Sequence, residues 1–198
     1  MKKTLILAFL LCFAAPLFAI TGDQAIARFK ATMFSVGKMT GNISWSGSGG
    51  QRFSGNFKYM APGRIYIKFS NPSGKIIVSN GRKLWIFNKA SNVCGIQDLG
   101  GGGSGGIAAL VNGYSAIATP RGSGYTIKLK NNDKHYSQII LIVNRNFFLK
   151  TAILKTKSGQ GISFTLSNVN TRAGIMKGLF DFRVPPNAQT VINPLNIK

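Results

Sequence analysis

The sequence has no glutamate. Its carboxylates are four aspartates, Asp23, Asp98, Asp133 and Asp181, and it carries one histidine, His135. General acid–base work by paired carboxylates needs two acids in one site, and Asp23 belongs to an opening helix, so little material remains for it. A zinc centre takes three or four ligands from Cys, His, Asp and Glu, which one His and one mature Cys do not supply. Nothing local supports a Cys94–His135 dyad; Cys94 reads as a small apolar residue at a strand end and His135 as an exposed turn residue. The expectation is a non-enzyme with no catalytic residue, metal or cofactor.

Also missing is an apolar run long enough to anchor the chain. Leu5 to Phe18 is apolar, whereas a spanning helix needs roughly 20 such residues. The run follows Lys2 and Lys3 and ends at Ala19, which is the pattern of a cleavable secretory signal over residues 1–19. Leu17 departs from the small residue preferred before such a cut. Lipidation at Cys12 is disfavoured, because Leu11 stands where a small residue is needed. A periplasmic location is expected, with residues 20–198 forming a single domain large enough for a core. Cys94 would then be the sole cysteine, so no intramolecular disulfide can form. Sheet hydrogen bonds and apolar burial must hold the fold.

What the chain has in excess is positive charge. Processing removes Lys2 and Lys3 and leaves 23 Lys and Arg against four Asp, a net +19. Such a surface attracts anions, and an anionic membrane surface is one expected partner. Nucleic acid is set aside: the basic residues form no reading motif, and the signal leads out of the cytoplasm.

From Thr21 to about Met39 the period is helical, with Ile26, Phe29, Met33 and Val36 on one side. Thr21 and Gln24 have capping-box spacing, Asp23 lies in the first turn, and Gly37 is the expected terminator. The period then changes to two. Ile43 and Trp45 alternate with Asn42 and Ser44; Phe53, Phe57 and Tyr59 share a face; Ile65, Ile67 and Phe69 follow the Ala61-Pro62-Gly63 corner. Lys75–Ser79 and Leu84–Phe87 flank Asn80-Gly81, a strong hairpin signal. Residues Gly100 to Gly106 are six glycines and Ser104, a mobile connector with no phosphate-loop context. Ile107–Val111 then predicts a short apolar helix ending near Gly113, suited equally to be a lid or a plain surface loop. Further strands are expected at Tyr125–Lys130, Tyr136–Val143, Phe147–Thr156, Ile162–Val169 and Gly178–Val184, with a brief edge segment at Val191-Ile192.

Several of these segments resemble the LolA family of periplasmic lipoprotein carriers. They are Gly55–Phe69, the run Ile76-Ile77-Val78-Ser79-Asn80-Gly81-Arg82-Lys83-Leu84-Trp85-Ile86-Phe87, and Phe180-Asp181-Phe182 followed by Pro185-Pro186. The opening helix at Asp23-Gln24-Ala25 is also similar. The resemblance implies a mainly β fold with short helices: an incomplete antiparallel β-barrel, or half-barrel, with an N-terminal amphipathic helix and a small helical lid. It further implies acyl chains held on the concave face. The implied partners are the lipoprotein or its acyl chains, an inner-membrane lipoprotein-releasing transporter and an outer-membrane acceptor. Many such carriers have arginine before the corner proline, where it contacts the lid; here the position is Ala61, so that latch cannot be carried over.

Alternation places Phe57, Tyr59, Ile65, Ile67 and Phe69 on one face. The expected lipid-binding face adds Trp85, Phe87, Ile140, Ile142, Phe164, Phe180 and Phe182, with Ile107, Leu110 and Val111 as lid. Two helices are too few to cover both sides of so wide a sheet, and Leu84–Phe87 is apolar on both faces. The leading expectation is a monomeric lipoprotein carrier. Its rivals are a carrier or sensor of free anionic lipids or glycolipids, and an adaptor for acidic envelope polymers.

Overall fold

The computed structural model describes residues 20–100 and 102–194, so the expected signal segment lies outside the described residues. Thr21 starts the chain into helix α1 (Gly22–Ser35) with both halves of the capping box in place: the Gln24 N–H donates to the Thr21 hydroxyl and the Thr21 N–H to Gln24 Oε1, each at 3.2 Å. The buried stripe is Ala25, Phe29 and Met33, while Ile26 and Val36 are only half-buried beside it. The helix stops at Ser35, before Gly37.

The rest is one sheet. Its strands are β1 (Lys38–Gly47), β2 (Arg52–Met60), β3 (Arg64–Asn71), β4 (Ser73–Asn80), β5 (Lys83–Asn88), β6 (Val93–Asp98), β7 (Ser115–Arg121), β8 (Gly124–Lys130), β9 (Gln138–Asn144), β10 (Leu149–Lys155), β11 (Gly161–Asn170) and β12 (Gln189–Ile192). They run β12-β6-β5-β4-β3-β2-β1-β11-β10-β9-β8-β7 and do not close. All neighbours are antiparallel except β12 and β6. The expected half-barrel is thus the observed architecture.

Two strands escape the sequence pattern. β6 contains Gly95, and β7 contains Pro120, which can be tolerated only because β7 is an edge strand. β10 begins at Leu149 rather than Phe147, because Phe147 takes a left-handed φ of 60°. Its ring stacks on Tyr125 at 4.9 Å, and Asn144 Oδ1 accepts the N–H groups of Asn146 and Phe148.

Register sorts the side chains into two faces, since directly paired residues point the same way. The concave face carries Met39, Ile43 and Trp45 from β1, with Phe57, Tyr59, Ile65 and Ile67 beside them. Further round it continues through Leu166, Ala152, Leu141 and Ile127. Helix α1 lies on the β7 side of this face, where Phe29 and Met33 join Ile127, Leu129 and Ile139 in the main core. Contact is close enough that a methyl on Gly22 would fall 1.8 Å from the Ala116 carbonyl oxygen. The Thr32 hydroxyl donates to the Asn146 carbonyl at 2.8 Å.

The expected strand over Gly178–Val184 does not form. Lys177–Phe180 is a 3₁₀ turn, followed by irregular chain that leads past Pro185-Pro186 to β12. This segment crosses the convex face of β3 to β5. Phe180 is fully buried there, and Phe182 lies 6.3 Å from Trp85 and 6.0 Å from Phe87, ring to ring. The rings serve as a cover rather than as rungs of the sheet. Beyond Pro186, the Asn92 carboxamide donates to the Asn187 carbonyl and the Gln189 N–H to the Asn92 carbonyl, seating β12 on β6.

Phe180→Ala removes a large ring from this second small core. It is expected to cost about 3–5 kcal/mol of stability in denaturant unfolding.

Candidate functional site

β6 and β7 stand near opposite ends of the sheet, so the chain between them has to travel across the open concave side. The glycine-rich stretch makes that crossing and becomes the 3₁₀ segment Gly102–Val111, kinked at Gly106 (φ 54°, ψ −146°). The kink demands glycine twice over. The backbone angle is left-handed, and a methyl at Gly106 would sit 2.6 Å from the Tyr59 phenol oxygen. Beyond the kink, Ala108 and Val111 are buried, Ile107 and Leu110 pack against the core, and the segment rests on α1.

Beneath it lies an apolar cavity of about 120 Å³. Met39, Ile43 and Trp45 of β1 form its floor with Phe164 and Leu166 of β11. Phe57, Tyr59, Ile65 and Ile67 of β2 and β3 form the other wall, and Ile107 covers it. Among the described residues, no carboxylate, lysine or arginine lines it. From Trp45 an aromatic wall runs outward. Trp45 stacks on Phe164 at 6.2 Å and meets Phe69 edge-on at 6.5 Å, and Phe53 lies 5.3 Å from Phe69. Lys75 Nζ sits 4.2 Å over the Phe53 ring at the far end. A larger hollow of about 610 Å³ at Lys130, Asn131 and Asn132 is an open polar dent, so volume alone does not locate the site.

Burial pushes the Tyr59 phenol above its usual pKa, partly offset by a hydrogen bond from the Gly63 backbone N–H. Tyr136 and Tyr114 are raised as well, first by burial, and Tyr114 also by its neighbour Tyr136. Cys94 is buried in β6 and its thiol is pushed up by that burial; His135 is exposed against Tyr136. They are far apart in the fold's order, one in β6 and one after β8, and no cluster of three His, Cys, Asp or Glu exists among the described residues.

The residues expected on one face divide. Phe57, Tyr59, Ile65, Ile67 and Phe164 line the cavity, and Phe69 stands in the aromatic wall beside it. Trp85, Phe87, Ile140 and Ile142 do not: Trp85 pairs with Val78 and Ile96, and Ile140 with Lys128 and Ile153, which puts them on the convex side. Phe180 and Phe182 cover that side. Phe180 and Phe182 are displaced because their strand does not form; for the other four residues the cause is parity. A strand apolar at every position gives no parity, so the sequence does not say which residues turn inward. Missed altogether were Met39, Ile43, Trp45 and Leu166. The alternation of Ile43 and Trp45 with Asn42 and Ser44 was a usable signal for those two residues of β1.

Ultraviolet titration should find the Tyr59 phenol ionising above its usual 10.0, and Tyr59→Phe should delete that late component. Because the unfolded phenol loses its proton first, stability should fall as pH rises from about 10 through the folded value.

A family model described as "Outer membrane lipoprotein carrier protein LolA" matches residues 44–183. An outer-membrane lipoprotein carrier protein of Shewanella sp. (strain ANA-3) is 29% identical over 175 residues, 85% of this chain and 80% of its own. One from Shewanella halifaxensis is 28% identical over 141 residues, 68% of this chain and 67% of its own. Among solved structures, an uncharacterized conserved protein from Thermus thermophilus has a TM-score of 0.57 at 12% identity, covering 86% of this chain and 98% of its own. That likeness is one of fold.

Proposed function

The chain belongs to the LolA family of outer membrane lipoprotein carriers, and from that premise we propose that it is a non-catalytic periplasmic carrier. It takes the acyl chains of a lipoprotein between β1–β3, β11 and the Gly102–Val111 lid and moves them from inner to outer membrane. A lipoprotein-releasing transporter in the inner membrane is the donor, and an outer-membrane receptor is the acceptor.

The observation that carries this reading is the wholly uncharged cavity under Ile107. Its 120 Å³ is smaller than the roughly 150 Å³ of an engineered cavity that holds one benzene. An acyl chain therefore enters only if the lid leaves. Burying a methylene yields about 0.8 kcal/mol, so a chain of about sixteen carbons fully sequestered would gain on the order of 12 kcal/mol. Such a carrier would never unload. Re-exposing Ile107, Ala108 and Val111 on opening offsets part of that gain and leaves an affinity compatible with hand-over. Ala61 provides no charged latch at the β2–β3 corner. The closed lid is held by apolar packing and by the fit of Gly106 on Tyr59.

Ile65→Glu puts a carboxylate in the wall of the groove and should weaken binding of an acyl probe at least tenfold. Trp45 emission reports occupancy, because this residue lines the cavity. Parent binding should hardly change with salt, since screening acts on charges and not on methylenes. Probe affinity unchanged by Ile65→Glu would sink the groove assignment. Mass spectrometry of organic extracts identifies the cargo: acylated peptides support the lipoprotein reading, and intact phospholipids without them replace it with carriage of free lipid.

A further inference from the structure

A strand apolar on both faces asks for a cover on each. At β5 the convex side is covered within the chain, Trp85 and Phe87 lying under the C-terminal segment. Strand β9 has the same character through Ile139–Val143. Its concave residues Ile139, Leu141 and Val143 are buried in the main core. Its convex residues Ile140 and Ile142 are only half-buried, and among the described helices and strands β9 packs extensively only on β8 and β10.

The neighbours of these isoleucines are set by register. One row across the convex face reads Ile117, Lys128, Ile140, Ile153 from β7 to β10. The row beside it reads Ser115, Lys130, Gln138, Lys155, and Ile142 is flanked by Thr126 and Thr151. Ile117 is 68% exposed, and Lys128, Lys130 and Lys155 are exposed. The only carboxylate in any described strand is Asp98, at the end of β6 in the other half of the sheet. Asp133 stands in the β8–β9 loop, beyond Lys130 at the edge of this face, so among the described residues the strands themselves set apolar side chains among cations with no carboxylate between them.

We infer that the convex face of β7–β10 is a docking surface for an anionic phospholipid membrane, separate from the concave cargo groove. Lysines meet lipid phosphates while the isoleucines reach the headgroup boundary. A second copy fits poorly, because two such faces would set Lys128, Lys130 and Lys155 against the same cations. The inference does not depend on what the groove carries.

The test is co-sedimentation of the chain from Ile20, which holds the whole described fold, with phosphatidylcholine vesicles or with equal parts of phosphatidylcholine and phosphatidylglycerol. Binding is expected only to the latter, and to fall steeply between about 0.05 and 0.5 M salt. Lys128→Gln/Lys130→Gln/Lys155→Gln should reduce partitioning on the order of 100-fold, from about fivefold per lysine. Ile140→Thr/Ile142→Thr suits an exposed strand and should reduce it several-fold with circular dichroism unchanged. Both variants should bind the acyl probe like the parent, and Ile65→Glu should bind vesicles like the parent, so the groove and the face can fail separately. Equal binding to neutral vesicles overturns the inference, as does a triple variant that partitions normally. A dimer in sedimentation velocity that Ile140→Thr/Ile142→Thr dissolves assigns the face to a second copy instead.

Discussion

A sheet that never closes, with β6 and β7 near opposite ends, obliges the connecting chain to cross its concave side. Much of the rest depends on that crossing. The 3₁₀ segment Gly102–Val111 makes it, and its Ile107–Val111 part supplies something greasy to lay across the gap. Helix α1 already fills the β7 side of the concavity, so the crossing segment covers what α1 leaves. The cavity is the remainder. It lies between β1–β3, β11 and Ile107 because neither cover reaches the floor there.

The second theme is a mismatch between apolar surface and available cover. Outside the main core, Val78, Phe87, Cys94 and Phe180 are buried apart on the convex side. The chain gives up a strand there to make a lid for β3 to β5, placing Phe180 and Phe182 on rings that would otherwise meet water. Each uncovered apolar area that remains is a place where something else can bind. On the concave side this is an uncharged hollow, which suits hydrocarbon. On the convex side it is isoleucine among lysines, which suits an interface between oil and anions. The same shortage of cover leaves two surfaces of different chemistry because the surrounding charges differ.

Reading the sequence located most elements because their patterns were local. The Thr21–Gln24 cap, the Asn80-Gly81 hairpin and the alternating strands β1 to β3 all follow from residues a few positions apart. It failed where the deciding contact was distant. Pro120 concealed β7, whose edge position excuses a missing donor. Phe180-Asp181-Phe182 looks like alternation in a strand, and nothing nearby says that its rings are needed on the far side of β5. For the cavity lining, Phe57, Tyr59, Ile65 and Ile67 were legible because Asn56, Lys58, Tyr66 and Lys68 mark the opposite parity. Trp85, Phe87, Ile140 and Ile142 were not, since Leu84–Phe87 and Ile139–Val143 contain no polar residue to mark an outside.

The sequence by itself determined the absence of paired acids, the large positive charge, the mainly antiparallel sheet with one capped helix, and the family. Composition and short-range spacing are sufficient for these, because caps, turns and two-residue periods act over a few bonds. Only the tertiary structure decided which face each fully apolar strand presents, where the lid lies, and that the C-terminal segment is a cover. Those outcomes depend on register across strands and on the order of strands in the sheet. Both are fixed by the whole set of contacts closing together, and no single segment contains them.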